Sequence, residues 1–255
     1  MTRKPFRYGW LPDVPDQRDH LYAAPVVCLK ALPAAVDLRP QCPPVYDQGK
    51  LGSCTANAIG GAIQFERRRQ KLKPDFAPSR LFLYYNERAM EHTVGADAGA
   101  QIRDGIKSVA KLGDCPEAEW PYDIARFADK PAKSCYADAV KYKAVQYQRV
   151  PQVLNQLKGC LASGYPFVFG FSVYERFESR EVAKTGVLAM PGPKEKLLGG
   201  HAVLAAGYDD GKQCFMVRNS WGGGWGMKGY FAMPYAYLIE SSLADDFWTI
   251  RLMAD

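Results

Sequence analysis

The chain has 255 residues, 47% of them hydrophobic and 24% charged, which excludes a disordered polypeptide and allows a core without disulfide staples. Its formal net charge of +6 is too weak a basic balance to mark a nucleic-acid binder. No apolar run approaches the ~18–20 residues of a membrane span, and the early charges at Arg3 and Lys4 precede no signal-peptide-like stretch. These features predict no membrane partner, and either a cytoplasmic location or export by a signal-independent route. Most of the seven cysteines are then expected to be free thiols.

In chain order, residues 1–31 are proline-rich, alternate in charge and lack a helical period, which predicts an extended arm. A helix is expected from Thr55, with Ala58, Ile59, Ala62, Ile63 and Phe65 as its apolar stripe and Arg67-Arg68-Arg69 at its solvated end. Pro78-Ser79 signals a second helix, carrying Leu81, Phe82 and Tyr85. A third spans about Gln101–Leu112 with Gly113 as its stop, and a fourth about Val153–Leu161. Asp123–Ser134 has few apolar anchors and is expected to be a surface loop. Strands follow at Phe167–Val173, His201–Tyr208 and Cys214–Trp221, with Asp209-Asp210-Gly211 as a turn and Phe231–Leu238 continuing the sheet. Helices first and antiparallel strands second predict an α+β chain of two lobes: 32–145 mainly helical, 146–255 mainly β.

Only three histidines are available as general bases. His20 and His92 have polar neighbours and read as surface residues, whereas His201 heads an apolar strand in Gly199-Gly200-His201-Ala202-Val203. No C-x-x-C or H-x-x-x-H pair is present, so neither a metal nor a cofactor is expected. Gly222-Gly223-Gly224 leads into Trp225 rather than into a helix, so it is not a phosphate loop. Cys54 ends the glycine-rich segment Gln48-Gly49-Lys50-Leu51-Gly52-Ser53 at a helix N-terminus, where the macrodipole favours a thiolate. Taken alone, it reads rather as a small buried core residue.

The order Cys54, His201, Asn219, with Asn219 opening the block Asn219-Ser220-Trp221-Gly222, resembles the papain-like cysteine peptidases of the C1 family, in a bacterial variety. The likeness runs from about Ala31 to the C-terminus and includes Val36-Asp37-Leu38-Arg39 and Trp120-Pro121-Tyr122. It implies a papain-like fold with a helical lobe, a β-barrel-like lobe and the active-site cleft between them. The resemblance further implies Cys54 as nucleophile, paired with His201 as thiolate and imidazolium, and Asn219 orienting the ring. Trp221 would shield that contact, and Gln48 would supply an oxyanion donor. Gly99-Ala100 would pair with the substrate backbone, while Gly200 and Ala202 would line a pocket for an apolar side chain. Two departures stand out: Leu51 replaces a family cysteine that forms a disulfide, and Thr55 replaces an aromatic residue.

The implied partner is a peptide or protein, cut as by an endopeptidase acting as a monomer, because no occluding insertion of an exopeptidase is visible. Two alternatives use the same residues differently: a Cys-His-Asn acyltransferase or deamidase, and an inactive homologue that binds anions through Arg67–Arg69. The arm, with Tyr8-Gly9-Trp10-Leu11-Pro12 as an aromatic anchor among prolines, is expected to pack on the lobes and partly cover the cleft as a propeptide-like regulator. The competing reading is a simple tether.

Overall fold

A computed structural model describes residues 8–254, so the first seven residues of the predicted arm lie outside the described residues. Along the chain run α1 (Val26–Lys30), β1 (Ala35–Asp37), α2 (Cys54–Arg69), α3 (Arg80–Met90), α4 (Ile102–Leu112), α5 (Lys133–Ala139) and β2 (Ala144–Arg149). Then come α6 (Leu154–Ala162), β3 (Phe167–Tyr174), α7 (Arg180–Thr185), β4 (Leu197–Asp209), β5 (Cys214–Arg218), β6 (Tyr230–Pro234), α8 (Tyr235–Ile239) and β7 (Ala244–Met253).

Helix boundaries follow local chemistry. Ser79 caps α3 by accepting the Phe82 N–H at 3.1 Å, and α4 ends on Gly113 at φ +79°. A Cβ on Gly113 would fall 1.6 Å from the Ala139 carbonyl oxygen, so glycine is required there sterically as well. Helix α2 departs from the one-sided pattern: it is buried all round from Cys54 to Arg67, because it runs between the sheet and α3 and α4. Arg67 is therefore not solvated. Its guanidinium lies 4.4 Å from the Phe76 ring centroid and 4.7 Å from that of Tyr142, and donates to the Pro74 carbonyl. Arg68 pairs with Asp75 and Arg69 with Glu66, so the basic run is spent within the fold rather than presented to an anion.

The sheet is antiparallel in the order β2-β7-β3-β4-β5-β6, with β1 added to β4. It is open, ending on β2 and β6, and is not closed into the barrel-like lobe expected from the resemblance. Helices cover its apolar faces instead: α2 lies against β4 and β7, and α6 against β4. The expected strand at 231–238 divides at Pro234, which ends β6 and begins α8. Strand β7, absent from the sequence expectations, lies between β2 and β3.

Two apolar cores result. One gathers the aromatic residues Phe167, Phe169, Phe171, Phe177, Phe215, Phe231 and Phe247, together with Tyr22 and Ala24 of the arm. The other joins the helices to Val168, Ala202, Leu204 and Trp248 from the strands. No helix among the described residues is long and apolar enough to cross a membrane, and all seven cysteines are free thiols.

Candidate active site

Cys54 is the first residue of α2, in a segment pinned to the sheet by backbone bonds. The Gln48 N–H donates to the Ser220 carbonyl at 2.9 Å and the Gly222 N–H to the Tyr46 carbonyl at 2.9 Å. These contacts tie the turn before Cys54 to the loop after β5. Gly49 makes that turn at φ +61°, its N–H donating to Asp47 Oδ1.

His201 sits on β4 opposite Phe171 of β3. On its other side β5 pairs Leu204 with Arg218, and this register, carried past the strand end, sets Trp221 beside His201. The Trp221 ring lies 5.3 Å from the imidazole at 33°, and Phe171 and Phe177 complete an aromatic cage. His201 Nε2 lies 2.9 Å from Asn219 Oδ1, which also accepts the Ser220 N–H at 2.8 Å. Because that oxygen is an acceptor, Nε2 carries the proton and the Nδ1 lone pair is left for another partner. Nδ1 makes no hydrogen bond among the described residues. Gln48 is fully buried, its side chain accepting from Ser220 Oγ at 2.6 Å and donating to the Leu51 carbonyl at 2.9 Å.

Thr55, which stands where the family has an aromatic residue, donates to Glu87 at 2.6 Å. Burial holds the Glu87 carboxyl well above its usual range. Leu51 is buried in the helical core, where the family's cysteine would have formed a disulfide.

The arm occupies the cleft. Ala100 N–H donates to the Gly9 carbonyl at 2.8 Å, Leu11 N–H to the Ala100 carbonyl at 3.1 Å, and Trp10 N–H to the Gly200 carbonyl at 3.0 Å. Backbone N–H groups of Ala202 and Gly9 favour the ionised form of the Cys54 thiol, and the Tyr8 ring lies 5.9 Å from the His201 imidazole. Gly99, Ala100, Gly200 and Ala202 thus all converge on the arm or the thiol. A Cβ on Gly9 would fall 1.7 Å from the Gly52 carbonyl oxygen, so only glycine passes there. The Trp10 indole fills a recess walled by Gly170, where a Cβ would lie 1.9 Å from the ring.

The recess is not purely apolar, as its small flanking residues suggested. Asp246 accepts the indole Nε1–H at 2.9 Å and the Asp13 N–H at 2.8 Å. Neither Gly170 nor Asp246 carries a sequence signal for this role. Asp246 reaches the recess because β3 pairs Gly170 with Asp245 of β7 and because Asp246 itself adopts φ +59°, rare for a residue other than glycine.

Covered in this way, Cys54 and His201 are both fully buried. Burial pushes the thiol up to about 11, against the pull of the surrounding N–H groups. Burial also pushes the imidazolium down to about 4, against the hydrogen bond its Nε2–H donates to Asn219 Oδ1. With the arm in place, burial thus works against the ionised form of both groups. His20 and His92 are exposed, as expected.

Known proteins resemble this chain in sequence and in fold. A model described as "Papain family cysteine protease" matches residues 32–246. The crystal structure of xylellain, a cysteine protease from Xylella fastidiosa, superposes with a TM-score of 0.91 at 50% identity, covering 96% of this chain and 95% of that one. An uncharacterized peptidase C1-like protein of Acanthamoeba polyphaga mimivirus is 40% identical over 97% of this chain and 88% of its own length. Digestive procathepsin L 3 of Tenebrio molitor shares the fold, with a TM-score of 0.72 at 21% identity over 92% of this chain and 75% of that one.

Proposed function

The chain belongs to the papain family of cysteine proteases, and from that premise we propose that it cleaves peptide bonds within polypeptides using Cys54, His201, Asn219 and Gln48, and that its own arm holds it inactive. The observation that carries this reading is the path of Gly9–Leu11: the arm backbone bonds to Ala100 and Gly200 beside the nucleophile, as an extended peptide would. Once the arm has left, His201 takes the Cys54 proton and the sulfur attacks the scissile carbonyl. His201 then protonates the departing amine, leaving a thioester, and water activated by the imidazole releases the acid. Asn219 keeps the ring in register, and the Gln48 side-chain N–H with the Cys54 N–H receives the oxyanion. Replacing Gln48 by alanine is expected to lower kcat by roughly 10²–10³-fold, about 3–4 kcal/mol. Steady-state kinetics on a variant of unchanged Tm check this.

In this reading Gly99, Ala100, Gly200 and Ala202 form the substrate groove, and the recess of Trp10 takes one substrate side chain. Its Asp246 carboxylate favours a long side chain tipped by N–H groups: tryptophan, arginine or lysine. A peptide library should show that preference in the native chain, shifted toward aliphatic side chains by roughly tenfold in Asp246→Ala, the effect of about one charge-assisted hydrogen bond. An aliphatic preference in both chains would exclude Asp246 from selection.

The function itself is tested with a peptidyl epoxide on a chain whose cleft has been opened by Gly9→Ala. One equivalent should attach at Cys54, with peptide hydrolysis lost in parallel. Labelling without any hydrolysis would favour an acyltransferase using the same thiol.

A further inference from the structure

Cys115 and Cys135 show no metal-binding spacing in the sequence, yet the fold brings them together. Cys115 lies in the loop after α4, its carbonyl accepting the Ser79 N–H at 2.8 Å, and Cys135 lies on α5. The Cys135 thiol donates to the Glu119 backbone carbonyl at 3.9 Å. With a carboxylate oxygen of Glu119 the two thiols form a trio whose ligand atoms all lie within 4.8 Å of one another. We propose that Cys115, Glu119 and Cys135 form a site for a thiophilic divalent cation such as Zn²⁺, completed by one water.

The donor set and its surroundings both favour this. Tetrahedral zinc, with bonds of about 2.3 Å to sulfur and about 2.1 Å to oxygen, places its ligand atoms roughly 3.5–3.8 Å apart. The trio therefore needs to contract by about 1.3 Å at most. The two thiols are buried and Glu119 is exposed, so the site is closed on the protein side and open to solvent for the ion and its water. Asp114, adjacent to Cys115, is fully buried, and neither of its carboxylate oxygens has a hydrogen-bond partner among the described residues. On binding, the ion displaces one proton from each thiol to solvent, and two thiolates and one carboxylate hold the dication. The site clips the loop after α4 to α5, away from Cys54 and without a part in its chemistry.

The test uses the full chain carrying Cys54→Ala, so that the nucleophile does not compete for metal. Zn²⁺ titrated against a chelating dye should show one tight equivalent, weakened at least about tenfold by Cys135→Ser and, on the exposed side where folding is not at stake, by Glu119→Gln. Co²⁺ should give a thiolate-to-metal charge-transfer band that disappears in Cys135→Ser. A chain with no saturable equivalent, a Zn²⁺ affinity unmoved by both variants, or a Cys115–Cys135 disulfide that persists in thiol reductant would each overturn the proposal.

Discussion

Replacing Gly9 by alanine should raise peptidase activity on a small peptide substrate by roughly 100-fold or more. The new methyl carbon would fall 1.7 Å from the Gly52 carbonyl oxygen and 2.6 Å from its carbon, both backbone atoms that have no rotamer to move away by. Such overpacking costs about 3 kcal/mol, which multiplies the open fraction of the cleft by roughly 100. The variant removes no contact between the arm's later residues and the body. Asp13 and Asp19 keep their ion pairs with Arg103, and Tyr22 and Ala24 remain in the aromatic core. Deletion of residues 1–31 would take those anchors away as well, so the single substitution is the cleaner experiment.

Thiol chemistry gives a second readout of the same opening. In the covered chain Cys54 is held up at about 11 by burial, so alkylation should stay slow at neutral pH and accelerate only as pH climbs toward that value. In the Gly9→Ala chain water reaches the sulfur, the desolvation penalty falls, and alkylation should accelerate at lower pH. Equal activity and equal alkylation profiles in the two folded proteins would mean that the arm does not govern access to Cys54.

Replacing Cys54 by alanine in the opened chain should abolish hydrolysis, a loss on the order of 10⁶ in kcat, as expected for the nucleophile of a group that acts as a unit. His201→Ala should cost nearly as much, and the double variant little more. Asn219→Ala should be milder. Asn219 is neutral and contributes one 2.9 Å contact to the imidazole, so its removal should cost about 1–3 kcal/mol, or roughly 10–100-fold. Single-turnover kinetics on one peptide, with folding checked by Tm, separate these cases. Hydrolysis surviving Cys54→Ala within tenfold would require a different nucleophile.

The legible parts of this molecule were those set by neighbouring residues. Ser79 and Gly113 bound their helices because capping and left-handed turns are decided within a few residues. Cys54, His201 and Asn219 stood out because each lies in a short run of distinctive chemistry. Strand β7 was not legible: Asp245, Asp246 and Arg251 interrupt its apolar run. The two aspartates are met by Arg149 of β2 and by the arm, and Arg251 lies over the Tyr165 and Tyr22 rings.

Residue order alone thus marked Cys54, His201 and Asn219 and pointed to an α+β chain, while the arm it predicted as extended holds the short helix α1. Tertiary structure decided the remainder. It left the sheet open, because helices rather than further strand pairing cover its faces. Folding also laid Gly9 against Gly52, seated Trp10 on Asp246 and brought Cys115 to Cys135. Each of these contacts joins segments distant in the chain, and their fit depends on packing distances that no local pattern of residues encodes. The polarity of the site belongs with them: the Cys54 thiol is pushed up and the His201 imidazolium down because the arm that covers them removes the water that would stabilise their ions.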